Sequence, residues 1–280
     1  VSVNLLETGV MSEEEIAASP ALDLMSYGYP FPRQVWAILV DRLLASGAKA
    51  VVFDIVFSHG QAESEGDRLL KEALDRHRDR VVIASRFSYT EAGKVMGGSS
   101  MNEPAVSVLD PGGVEDQRQG YADFFKSPDQ LVWQAHFRMR LGSHPQAPEY
   151  RSLAAASLSQ SGYGHMVPDD PVIGIRFAEM HASPRAYEPV PLYSIFDEKA
   201  WSRNYGNGGF LHDKIVVVGG WNLMEHRDVV DTPVGTIAGA QVHINAIASL
   251  LNEDGFLFAG FSLRCITVFL GALLAFIVAH

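Results

Sequence analysis

Five runs of mostly consecutive apolar residues, rich in Val and Ile and each of strand length, set the terms on which this chain can fold. They are VSVNLL (Val1 to Leu6), AVVFDIVF (Ala50 to Phe57), RVVIAS (Arg80 to Ser85), PVIGIRFA (Pro171 to Ala178) and KIVVVGG (Lys214 to Gly220). A strand that is apolar at nearly every position, rather than at every second one, needs cover on both faces, as in a parallel sheet between helical layers. Helical patterns fall between several of the runs. Arg33 to Ser46 sets Val35, Leu39 and Leu43 near one face and is stopped by Gly47, a residue suited to the left-handed turn after a helix. Asp67 to Arg76 opens on an acid and carries Leu69, Leu70, Ala73 and Leu74. Ala238 to Leu251 repeats the pattern with Val242, Ile244, Ile247, Leu250 and Leu251. Strand, helix, strand at this spacing predicts an α/β fold with a doubly wound, mostly parallel sheet.

The middle of the chain reads differently. From about 87 to 170 it is rich in Gly, Ser, Pro and scattered aromatics, with periodicity only around Leu131 to Leu141 and Arg151 to Leu158. A long irregular insertion holding one or two helices is expected there. The end of the chain is different again. Cys265 to Ala279 (CITVFLGALLAFIVA) is almost wholly apolar or small, and Phe261 to Leu263 extends it past Arg264. A buried core helix normally keeps a polar stripe, and this one has none. A membrane span needs ~20 apolar residues, so residues 259–280 are expected to begin a transmembrane helix after a domain formed by 1–258.

Composition removes several functions. A net charge of -11 without any Lys/Arg run excludes a phosphate-backbone partner. The single cysteine, Cys265, lies in the apolar tail, so the rest of the chain holds no internal disulfide and no thiolate metal site. A GxSxG elbow is absent; the nearest approach, GGSSM at Gly97 to Met101, lacks the closing glycine. Gly219 and Gly220 run into Trp221 and Asn222, which makes neither a dinucleotide fingerprint nor a phosphate loop. Asp54 in VVFDIVF has Val56 where a phosphatase-like site would carry a second acid, and no histidine pair has zinc spacing on one helix. No catalytic residue is assigned, and an enzyme is not expected.

The acids suggest binding instead. In a doubly wound sheet, ligands settle at the carboxyl ends of the parallel strands. Glu7 follows the first run, Asp54 sits late in the second, Asp67 opens the next helix, and Asp228 and Asp231 follow Gly220. The topology is expected to bring all five toward one edge. Carboxylates gathered there need a cation or a basic side chain among them. Mg²⁺ or Ca²⁺ on Asp54 and Asp231 is one solution; Arg33, Arg227 and His243 are the other. The structural alternative makes Asp67 and Asp231 caps or turn formers, with Asp54 held by Arg33 or a nearby N–H. Tyr89, Tyr121, Phe124, Phe125, Trp133, Phe137 and Tyr163 supply the middle segment with aromatics. They pack it onto the sheet, or Phe124 and Phe125 meet a ligand or partner.

Two blocks at opposite ends of the domain carry a family resemblance. PFPRQVWAILVDRLLASGAKAVVFDIVFS, ending at Ser58, resembles the opening of the CHASE-type-two family of extracellular sensory domains. DKIVVVGG (Asp213 to Gly220), RDVVDTPVG (Arg227 to Gly235) and AGAQVHINAIASLLN (Ala238 to Asn252) resemble its final strand, its Asp-then-Thr-Pro loop and its Gly-x-x-x-His-x-Asn helix start. Leu5, Leu6 and Glu7 stand where the family tends toward Ile-Asp-Asp/Glu, which removes one carboxylate. The resemblance implies an extracytoplasmic sensory domain of a bacterial inner-membrane signalling protein, with a cytoplasmic kinase or nucleotide cyclase and a small ligand or protein as its signal. A homo-oligomer is expected, because one membrane connection transmits little except a change between neighbouring subunits. A periplasmic assembly module and a degenerate hydrolase are the alternatives.

Overall fold

The computed structural model describes residues 2–4, 12–59, 64–88, 101–113, 115–140, 146–169, 172–178, 189–221, 228–256 and 261–279. In chain order the elements are β1 (Ser2–Asn4), α1 (Glu13–Ala18), α2 (Pro20–Met25), α3 (Arg33–Ala45), β2 (Ala50–Phe53), α4 (Glu65–Arg76), β3 (Val81–Phe87) and β4 (Met101–Asn102). There follow β5 (Gln119–Tyr121), β6 (Gln134–His136), β7 (Arg138–Arg140), β8 (Glu149–Arg151), α5 (Leu153–Gln160), β9 (Val172–Gly174) and β10 (Val190–Pro191). The last are α6 (Leu192–Phe196), α7 (Glu198–Tyr205), β11 (Ile215–Gly219), β12 (Val229–Thr232), β13 (Gly235–Ala238), α8 (Gly239–Leu251) and α9 (Phe261–Ala279).

The central sheet runs β10-β1-β11-β2-β3 with every neighbour parallel, and β5 adds a further parallel strand to β3. β4 pairs antiparallel with the end of β3. The late strand β11 is thus inserted between the two earliest. Alternation along each strand sorts side chains into two cores. Val51, Phe53, Val216 and Val218 face α2, α3, α4, α6 and α7. Val52 and Val217 face α5 and α8. Cover on both sides explains why these strands are apolar throughout. α8 is buried along nearly its whole length because the sheet, α5 and the β12–β13 hairpin enclose it.

Two expectations need correction. PVIGIRFA does not join the central sheet: β9 pairs antiparallel with β6, burying Ile173 while Val172 stays half-buried. The outer parallel positions belong to β5 and β10, whose sequences QGY and VP carry little apolar signal. The segment from about 87 to 170, expected as a long irregular insertion with one or two helices, supplies regular elements to the sheet and its cover. β5 is a strand of the central sheet, and α5 forms half of one helical layer. Gly120 lets them meet, since a Cβ there would lie 2.7 Å from the Leu153 Cα and 2.8 Å from the Ser152 carbonyl oxygen. Leu131 to Leu141 yields the strands β6 and β7 around buried Phe137 instead of a helix.

The tail forms α9, 19 residues long and therefore about 28 Å at about 1.5 Å per residue. That falls just short of a hydrocarbon core. Among the described residues no helix is long and apolar enough to cross a membrane.

Candidate functional site

Asp54 is the first residue beyond β2, and its N–H still donates to the Val218 carbonyl at 2.8 Å, which fixes it at the end of the β2–β11 ladder. Alternation turns its side chain to the face of Val52, beneath α8. His243 lies one turn into α8, and its Nε2 sits 3.8 Å from Asp54 Oδ1, with side-chain exposures of 4% and 7%. Arg86 near the end of β3 and Asp228 ahead of β12 form the rim, with Nη2 to Oδ1 at 3.2 Å. Asp228 holds a positive φ of 58°. Its carbonyl accepts the Gly239 N–H at 2.8 Å, so the loop is tied to the start of α8. Asp123, just past β5, accepts the Phe87 N–H at 2.8 Å. The Phe124 ring stacks on His243 with centroids 4.4 Å apart.

Electrostatics set the protonation of this group. Burial above all pushes the Asp54 carboxyl up to about 8; the Asp228 and Asp123 charges push the same way, and Arg86 opposes them. Burial and then Arg86 hold His243 down to about 3, against a hydrogen bond with the Ala122 backbone. At neutral pH the carboxyl is therefore protonated and the imidazole neutral, so the 3.8 Å approach is not an ion pair. Asp54 Oδ2 and His243 Nε2 are both buried without a hydrogen-bond partner. Such atoms are costly to bury.

The remaining predicted residues divide. Asp67 is on the opposite side of the sheet, in the first turn of α4, where Oδ1 meets Arg33 Nε at 3.0 Å and Oδ2 accepts from Ser107 at 2.5 Å. Asp231 sits on the β12–β13 hairpin, accepting from Thr236 Oγ1 at 2.8 Å with Lys126 Nζ at 3.9 Å. The expectation of one acidic edge is corrected accordingly: Asp54 and Asp228 come together, while Asp67 and Asp231 are held elsewhere by their own partners. Among the described residues no group of three or more His, Cys, Asp or Glu is placed to hold a metal ion. Phe125 packs with Phe87, Tyr121 and His136 instead of lining the Asp54 site. Glu7 and Arg227 lie outside the described residues.

Sequence reasoning missed Arg86 and Asp123. The signal for Arg86 was available: it continues the Val82, Ala84 alternation of β3 by one step onto the face of α8. Asp123 had none, because β5 itself is unrecognisable in sequence.

The family model described as CHASE2 domain matches residues 12–279. No curated protein and no solved structure matches the chain.

Proposed function

Because the chain belongs to the CHASE2 domain family, whose members are extracellular sensory domains of signalling proteins and not catalytic ones, we propose that it is the extracytoplasmic sensory domain of a bacterial inner-membrane protein of the kinase or nucleotide cyclase type. α9 carries this reading. Eight of its large apolar side chains, from Ile266 to Val278, are each more than half exposed. At 3.6 residues per turn they cover the whole circumference. Hiding a Val, Leu, Ile or Phe from water is worth about 1.5–3 kcal/mol, so eight of them demand more than about 10 kcal/mol of burial. A partner helix covers one stripe; an all-round apolar surface calls for lipid. α9 is read as the entry into the bilayer.

The same helix gives the site an output. α8 carries His243 and ends at Leu251, nine residues before α9 begins. A ligand, partner or proton that changes the Asp54–His243 contact bears on α8, the last helix before α9 in the chain. A single helix passes such a change on by moving relative to its neighbour, so the working unit is a homo-oligomer, with a dimer the simplest case. The test is topology in the intact protein. Alkaline phosphatase joined at Asn252 is expected to be active and a green fluorescent protein at the same position dark; the reverse pattern would remove the extracytoplasmic assignment.

A further inference from the structure

Between the first turns of α3 and α4, on the face of the sheet away from Asp54, lies a cleft of about 470 Å³, a volume within the range of small-molecule sites. Tyr29, Phe31, Trp36 and Phe57 line one side of it. These rings touch in series, Tyr29 to Phe31 at 5.6 Å and Trp36 to Phe57 at 6.2 Å between centroids. Tyr29 is 55% exposed, so the series ends in a ring open to a ligand.

The polar side centres on Arg33. Its Nε is paired with Asp67, its Nη2 donates to the His59 carbonyl, and its guanidinium lies 5.1 Å from the Phe57 centroid. Its Nη1 is buried with no hydrogen-bond partner. Burial lowers the Arg33 pKa, with Asp67 opposing, so the cation is only partly compensated. Both helices also begin here without a side-chain cap. Pro32 makes none before α3, and the Ser64 hydroxyl makes none before α4. Helix starts present donors and a partial positive charge. Arg33 Nη1 is thus a buried donor that lacks an acceptor beside two uncapped helix starts. One free guanidinium N–H beside the Asp67 carboxylate suits a single carboxylate better than a doubly charged phosphate, which Asp67 would repel more strongly, and the ring-lined side suits a flat apolar body.

We propose that this cleft binds a small aromatic carboxylate, its ring against Tyr29 and the Trp36–Phe57 side and its carboxylate on Arg33 and the helix starts. Binding stands on the cleft alone; its meaning as the sensed signal rests on the sensory reading above.

Titration of the full chain in detergent with benzoate and indole-3-acetate, followed by tryptophan fluorescence and melting temperature, tests it. Saturable binding is expected, with benzamide, indole-3-acetamide and inorganic phosphate at least about tenfold weaker. Arg33→Lys keeps the charge but loses the forked donor set, and is expected to weaken binding about tenfold. Tyr29→Ala, at an exposed position, is expected to weaken it several-fold while leaving the ligand-free melting temperature unchanged, so it decides the matter even if the Arg33 variant folds poorly. No saturable carboxylate binding up to about 10 mM, equal binding of the amides, equal binding of phosphate, or an unaffected Tyr29→Ala protein would each overturn the proposal. None of these results bears on the reporter fusions, so a failed ligand and a failed topology are told apart.

Discussion

Asp54→Asn should abolish a loss of stability on the alkaline side of neutrality. The native carboxyl keeps its proton to about 8, against 3.8 as the ordinary value, and the native imidazole stays neutral down to about 3, against 6.5. Below about 3.8 the unfolded chain binds one proton more than the native chain, at His243, and stability falls as the pH drops. Between about 3.8 and 6.5 the native chain holds its extra proton on Asp54 and the unfolded chain holds one on His243, so the pair contributes no slope. Above 6.5 only the Asp54 proton remains, bound in the native state alone, and stability falls with rising pH until about 8. That window of about 1.5 units at about 1.4 kcal/mol each gives a loss of about 2 kcal/mol. In a chain of this size the melting temperature should drop by roughly 3–4 °C.

With asparagine at position 54 only the histidine is left, so the alkaline fall vanishes and stability instead climbs from about pH 3 to 6.5. Calorimetric melts of both proteins from pH 4 to 9, in one detergent at fixed ionic strength, give the comparison. A wild-type protein flat from 6.5 to 8, or an Asp54→Asn protein that still loses stability there, would refute the burial argument.

Four further substitutions probe the packing of the fold and of the site. A Cβ at Gly219 would lie 2.7 Å from the Ala240 Cβ and 3.2 Å from the Asp54 Cβ, so Gly219→Ala should cost about 1–3 kcal/mol in urea unfolding. Arg118 is buried, bonded to Asp116 through Nε and Nη2, to Asp75 at 2.5 Å and to the Asp110 carbonyl; Arg118→Met strands buried Asp116 and should lose about 3–5 kcal/mol by the same measurement. Phe124→Ala uncovers His243 and should raise the imidazole pKa seen by NMR, whereas Phe125→Ala, in the separate Phe87–Tyr121 cluster, should leave it unchanged.

Where the sequence was legible, the signal was local. AVVF and IVVVG announce β2 and β11 because each residue meets a covered face, and α3 and α8 end close to the residues their periodicity predicts. β5 and β10 gave no such signal, since the strand state of QGY and VP comes from neighbouring backbone, as in the Ile83 N–H donating to the Arg118 carbonyl. The candidate site was half legible for a related reason. Asp54 and His243 could be placed at a strand end and a helix start, but the sides of the sheet could not be assigned from strand ends alone. Phe53 and Asp54 are adjacent in sequence and point to opposite faces. Asp67 belongs to α4, which packs on the face of Phe53, while His243 belongs to α8, which packs on the face of Asp54. That alternation, one residue wide, separates acids that topology alone would gather at a single edge. It leaves the molecule with a closed, protonated carboxyl beneath α8 and an open, ring-lined cleft between α3 and α4.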